Sequence, residues 1–135
     1  MTRLLRSETL PLDDESDLMI ARGRVRECAV ELDFGTLDMT RLVTVASELG
    51  RNTVIHGGGG SMLLEALAAE QRHGVRLTFE DKGAGIADLD LAMSDGFTTK
   101  GGMGLGLSGS RRLVDEFEIF TRVGEGTRVT VTRWK

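Results

Sequence analysis

Apolar residues recur at helical spacing over residues 15–32, where Leu18, Ala21, Val25, Ala29 and Leu32 share one stripe. The spacing predicts a helix there, with Gly35 as its stop. A second helix is predicted over 37–56, with Asp38 as its N-cap and Leu42, Ala46, Leu49 and Thr53 as its inner stripe. The glycine run 57–60 ends it. The period then changes to two. In "GVRLTFED", 74–81, Val75, Leu77 and Phe79 alternate with Arg76, Thr78 and Glu80, the pattern of a strand with one buried face. "SMLLEALAAEQ", 61–71, reads equally well as a helix by propensity, but its Gly-rich ends and the short "RHG" link favour a hairpin with the strand after it. A short edge strand is predicted within 1–13, around Leu10 and Leu12. "KGAGIAD" turns, "DLDLAMSD" makes a short helix, and 95–104 form a Gly/Thr-rich loop. A helix carrying Leu107, Val114 and Phe117 follows, to about Phe117. The strands "EIFTRV" and "TRVTVTRW", joined by "GEG", end the chain. This order predicts an α+β fold: a two-layer sandwich of a mixed, mainly antiparallel sheet with helices on one face.

Composition narrows the classes of function. A chain of 135 residues fits one domain, 1–135, and 40% hydrophobic residues suffice for a core. With 4% aromatic residues and no tyrosine, stacking platforms for single-stranded nucleic acid are not expected. The net charge of −4 and the lack of a long basic run argue against nucleic acid as a partner. The one cysteine, Cys28, cannot form an internal disulfide, which points to a reducing compartment and to a small buried hydrophobe. No apolar run reaches the length of a membrane span and the N-terminus lacks a signal-peptide core, so a cytoplasmic protein with no membrane partner is expected.

Four short motifs carry candidate chemistry. In "GGMGLGLSGS", 101–110, five of ten residues are glycine. Gly104, Gly106 and Gly109 match G-x-G-x-x-G, but a loop precedes them where a dinucleotide fold needs a strand. Lys100 precedes the glycines, so a P-loop fails as well. The glycines do open an apolar-periodic helix, whose free N–H groups and dipole suit an anion; a loop packed on the sheet is the alternative. In "EDKGAGI", 80–86, Asp81 ends a strand beside Gly83 and Gly85, so its carboxylate can accept from an exocyclic amine; an ordinary turn with a capping Asp is the alternative. Glu48 and Asn52 are i and i+4 on the second helix and share a face. A carboxylate beside an amide suits magnesium handling and proton acceptance, and a solvated polar face is the alternative. His56 continues that face but fits a helix-end histidine; it and His73 stay outside the site. In "GEGT", 124–127, Gly126 and Thr127 open the last strand, and a plain hairpin turn explains them equally well.

In this order and spacing the motifs resemble those of the GHKL family of ATPases and kinases. Glu48-Leu-Gly-Arg-Asn52 is similar to its N box, Asp81-Lys-Gly83-Ala-Gly85 to its first glycine box, Gly102-Met-Gly104-Leu-Gly106-Leu to its second, and Gly126-Thr127 to its last element. No further domain and no upstream phospho-accepting helix is evident, so the chain looks like the bacterial serine kinases that act as switch proteins or anti-sigma factors. The resemblance implies ATP and Mg2+ as cofactors. Asp81 would accept from the adenine amino group, Gly83 and Gly85 would line the base pocket, and Asn52 would bind magnesium. Glu48 would orient or deprotonate the attacking hydroxyl, in a chemistry that is mostly positioning and charge neutralisation. Gly102, Gly104 and Gly106 would cradle phosphates, and Thr127 would support Asp81 or a bridging water. Residues 95–103 would be a lid, with Thr98, Thr99 and Lys100 near the terminal phosphate. The implied partners are STAS-domain proteins and a PP2C-type phosphatase or its regulatory region. Two alternatives stay open: an anti-sigma factor that binds a sigma factor directly, and a non-catalytic module gated by nucleotide.

Overall fold

The computed structural model of the chain describes residues 1–94 and 106–135. Strand β1 (Thr2–Leu12) leads into helices α1 (Glu15–Glu31) and α2 (Thr36–Ile55). A hairpin of β2 (Gly60–Ala69) and β3 (Arg72–Asp81) follows, then the short helices α3 (Leu89–Ala92) and α4 (Gly106–Arg112), and a hairpin of β4 (Glu116–Arg122) and β5 (Gly126–Trp134). The sheet order is β1-β2-β3-β5-β4, and every pairing among the described residues is antiparallel. The expected α+β sandwich therefore stands, with a sheet that contains no parallel pair in this part of the chain.

Alternation assigns the faces. Met62, Leu64 and Ala66 of β2, Val75, Leu77 and Phe79 of β3, and Val129 and Val131 of β5 are buried. They meet Leu18, Val25 and Ala29 of α1 and Leu42, Ala46 and Leu49 of α2 in one core. Cys28 lies in that core, and desolvation pushes its thiol pKa up, which makes it unreactive. The opposite face is polar along β3, at Arg76, Thr78 and Glu80, with Leu63 and Leu67 of β2 beside them. There Glu65 receives two hydrogen bonds from Arg76, at 2.8 and 3.1 Å.

Four local expectations need correction. Gly35 does not stop α1. The left-handed residue after α1 is Asp33 (φ 61°), and Phe34 N–H donates to Ala29 O while Asp33 N–H donates to Val30 O, closing the helix in a Schellman motif. Gly35 instead caps α2, and Asp38, expected as the cap, sits in its first turn. The β2–β3 turn is not "RHG" but Glu70–Gln71, with Glu70 at φ 55°. Gly74 lies inside β3 because the Trp134 ring covers it: a Cβ there would stand 2.6 Å from Trp134 Cε3. Finally, α4 ends at Arg112 and Phe117 belongs to β4, because Phe117, Ile119 and Thr121 already follow a two-residue alternation.

Asp38 has another task. Its Oδ1 accepts from Arg133 Nη2, and Arg133 Nη1 donates to Leu113 O at 2.9 Å. One mostly buried guanidinium thus joins the start of α2, the α4–β4 link and the end of β5. Arg133→Met should lower stability by roughly 1.5–3 kcal/mol, the range for hydrogen bonds to charged groups. Urea unfolding should show a lower midpoint with an unchanged slope.

Candidate functional site

A cleft of about 380 Å³ opens where the last turns of α2 meet the ends of β3 and β5. Leu49, Phe79, Val129 and Leu107 give it an apolar floor, and Ile86, Leu91 and Ala92 form one wall. Asn52, Asp81 and Thr127 bring polar atoms to it, as does the backbone of Gly85 and Gly106. A mainly apolar cleft with a few placed polar groups is the usual form of a small-molecule site. A depression of about 370 Å³ on the outer side of the same strand ends is bordered mainly by charged residues, among them Glu80, Arg122 and Arg128. Its border lacks the apolar wall.

Local sequence explains how the polar groups arrive. Leu49 and Thr53 point to the core, so Asn52, one position away, falls at the helix margin and reaches the cleft. Asp81 is the last residue of β3 and shares the inward phase of Val75, Leu77 and Phe79. Its Oδ1 accepts from Gly83 N–H at 2.9 Å, and its Oδ2 receives no hydrogen bond among the described residues. Gly85 takes a left-handed φ of 75° and packs so closely on Arg122 O that no side chain fits. The link then enters α3, capped by Asp88, whose Oδ1 accepts from Leu91 N–H at 3.0 Å.

Thr127 is the cross-strand neighbour of Asp81. Its hydroxyl, however, lies 2.9 Å from Thr121 Oγ1, which accepts from Ile86 N–H at 2.9 Å and donates to Gly126 O at 3.1 Å. A hydroxyl has one proton, so Thr127 must donate to Thr121 for these bonds to coexist. Thr127 then offers only acceptor lone pairs. Thr121 has no counterpart in the sequence reading. The available signal was a polar residue at an inward position of β4.

Glu48 occupies a different position from the other candidates. It is 5% exposed, lies off the cleft lining, and its Oε1 accepts from Gly106 N–H at 3.3 Å. It therefore ties α2 to the first residue of α4. Gly83 also stands behind the lining and acts on the cleft through Asp81. Thr98, Thr99, Lys100, Gly102 and Gly104, with the expected lid, lie outside the described residues. His56, set aside from sequence, borders the cleft mouth. Among the described residues no group of three His, Cys, Asp or Glu could hold a metal ion. No helix among them is long and apolar enough to cross a membrane.

Comparison with known proteins agrees with this architecture. Residues 37–135 match the family described as histidine kinase-, DNA gyrase B-, and HSP90-like ATPase. The serine/threonine-protein kinase RsbT of Bacillus subtilis is 42% identical over 120 residues, covering 89% of this chain and 90% of the relative. An anti-sigma F factor of Anoxybacillus flavithermus is 32% identical over 118 residues, covering 84% and 81% respectively. The crystal structure of the RsbU and RsbW domains of a Mycobacterium tuberculosis protein superposes with a TM-score of 0.64 at 22% identity; the fold is shared over 96% of this chain, which spans 32% of that one.

The Glu48–Gly106 contact yields a direct test. Glu48→Ala leaves the buried Gly106 N–H without an acceptor, which should cost about 1–3 kcal/mol. Glu48→Gln keeps a carbonyl oxygen there and should retain most of that stability. Thermal melts of the two variants side by side check the difference.

Proposed function

The chain belongs to the histidine kinase-, DNA gyrase B- and HSP90-like ATPase family, and from that premise we propose that it is an ATP-dependent serine/threonine-protein kinase of a bacterial partner-switching module. One observation carries the nucleotide reading: Asp81 presents an unpaired carboxylate oxygen at the rim of an apolar cleft. Such an oxygen can accept from the amino group of adenine. Guanine offers a carbonyl at the same position and would be repelled. Thr127, left as an acceptor, reinforces that preference.

Asn52 is the one cleft residue of α2 suited to a hard cation. Mg2+ binds proteins through few side-chain oxygens and keeps phosphates and waters for the rest, so a single amide fits. When bound, the ion neutralises phosphate charge. Gly106, with Gly102 and Gly104, would face the phosphates. Glu48 would orient the attacking hydroxyl, and Thr98, Thr99 and Lys100 would approach the terminal phosphate.

The phosphate acceptor is a serine or threonine of a STAS-domain protein. The transferred phosphate must come from a nucleotide in this cleft, so a folded acceptor would dock beside it. Phosphorylation adds about −1.5 to −2 charges at pH 7. That anion would lie against Glu48 and the phosphates of the nucleotide, and repulsion would release the kinase to its second partner, a PP2C-type phosphatase or its regulatory region. A cytoplasmic setting fits this reading, with the family domain over residues 37–135. The similarity to an anti-sigma F factor supports a second reading, direct capture of a sigma factor, which a pull-down with purified sigma factors tests.

Two measurements bear on the kinase reading. Calorimetry with Mg2+ should show ATP binding at least about tenfold tighter than GTP, the effect of losing one charge-assisted hydrogen bond; equal affinities would remove Asp81 from its role. Glu48→Gln should fold and bind ATP yet lose most phosphoryl transfer to a STAS partner, read as phosphoserine or phosphothreonine by mass spectrometry. Full transfer by that variant would leave Glu48 as a structural residue.

A further inference from the structure

The run Gly57–Gly60 looks like slack chain after α2, yet it is pinned. Gly57 N–H donates to Asn52 O and Gly59 N–H to Thr53 O, each at 3.0 Å. Gly60 pairs with Asp81 across the sheet. Two of these glycines are required by space, Gly57 by the Asp81 side chain and Gly60 by the Glu80 backbone. A Cβ on Gly57 would stand 2.4 Å from Asp81 Cγ, 2.5 Å from its Cβ and 2.6 Å from Oδ2. A Cβ on Gly60 would stand 1.9 Å from Glu80 O. Gly57 has no left-handed φ, so its backbone conformation would admit alanine, and the three atoms nearest to an added Cβ all belong to the Asp81 side chain. On the other side, a Cβ on Gly83 would stand 2.9 Å from both the Cα and the carbonyl oxygen of Gly57. The carboxylate is thus seated against the end of α2 and held there by the Gly83 N–H.

We propose that Gly57 is a specificity-determining positioning residue: the space left by its missing side chain is the seat of the Asp81 carboxylate, and it sets the direction in which Oδ2 meets the base. The inference rests on the reading of Asp81 as the base acceptor. A methyl group at 57 must push the carboxylate off Gly83 N–H or the 82–88 link away from α2. Either movement takes Oδ2 away from the position where it meets an amino group, while the apolar floor and Asn52 stay as they are.

The test compares Mg-ATP with Mg-ITP, whose base carries a carbonyl in place of the amino group, by calorimetry on the full chain. The wild type should prefer ATP by about tenfold or more. Gly57→Ala should bind both nucleotides within about threefold of each other, as Asp81→Asn should. Gly58→Ala is the control: Gly58 has φ 73° and open space around it, so alanine strains the same loop without touching Asp81. It should melt lower but keep the preference. The two single variants should also couple: in an Asp81→Gly background, Gly57→Ala should leave the ATP/ITP ratio unchanged and recover the melting temperature that it loses alone. Recovery also reads the overlap if Gly57→Ala alone is too unstable to titrate. A wild type that binds ATP and ITP equally overturns the reading of Asp81 and this inference with it. A discriminating wild type with an equally discriminating Gly57→Ala overturns the inference alone, as would equal losses in Gly57→Ala and Gly58→Ala, or a melting temperature that Asp81→Gly fails to restore.

Discussion

The direction of Asp81 is decided by the register of β3, and the rest of the site is arranged around that residue. Gly60, Asp81 and Thr127 lie in one cross-strand row because β3 is held by β2 on one side and β5 on the other. A one-residue slip would turn Asp81 to the outer face and bring Glu80 inward. What prevents the slip is apolar. Val75, Leu77 and Phe79 sit opposite Ala66, Leu64 and Met62, all buried. Turning any one of them to water costs about 1.5–3 kcal/mol. The carboxylate is therefore aimed by the core beneath it, and a change of alternation anywhere along β3 would be felt at the cleft.

Helix α2 obeys the same logic with a different period. Leu42, Ala46, Leu49 and Thr53 fix its rotation by burying one stripe. Asn52 then falls at the edge of that stripe, half-exposed, and Glu48 falls under α4. Leu49 and Thr53 serve twice, since they also floor the cleft. The site is thus the margin of the core, where the helix layer stops short of the strand ends. Polar groups there keep access to a ligand while their backbones are held by packing.

Alternation made most of this legible in the sequence. β3 is clear because three apolar and three polar residues alternate without interruption, and the inner stripe of α2 is clear because its spacing persists for three turns. Asp81, Asn52 and Thr127 could be named because each stands at an element end or edge beside glycine or on a helical repeat. The misreadings share a cause. Gly35 reads as a stop by residue type but caps the helix that follows it, and Gly74 makes room for Trp134, a residue far along the chain. Asp33 and Glu70 hold the left-handed turns where glycine is more usual. Phe117 fits a three-residue step from Val114 as well as a two-residue step to Ile119, so only pairing with β5 decides it. For Thr121 the sequence offers only a polar residue at an inward position of β4, and its role comes from three partners on two other segments.

Glu48 shows why residue type and spacing alone could not assign a role. Its carboxylate is buried, and its partner in the structure is a backbone N–H at the start of α4. A carboxylate held there does two things at once. It fixes the end of the helix whose first residues face the cleft, and it satisfies a backbone N–H that packing hides from water. Both effects need burial. A solvated Glu48 would hold α4 weakly, and water would screen its charge.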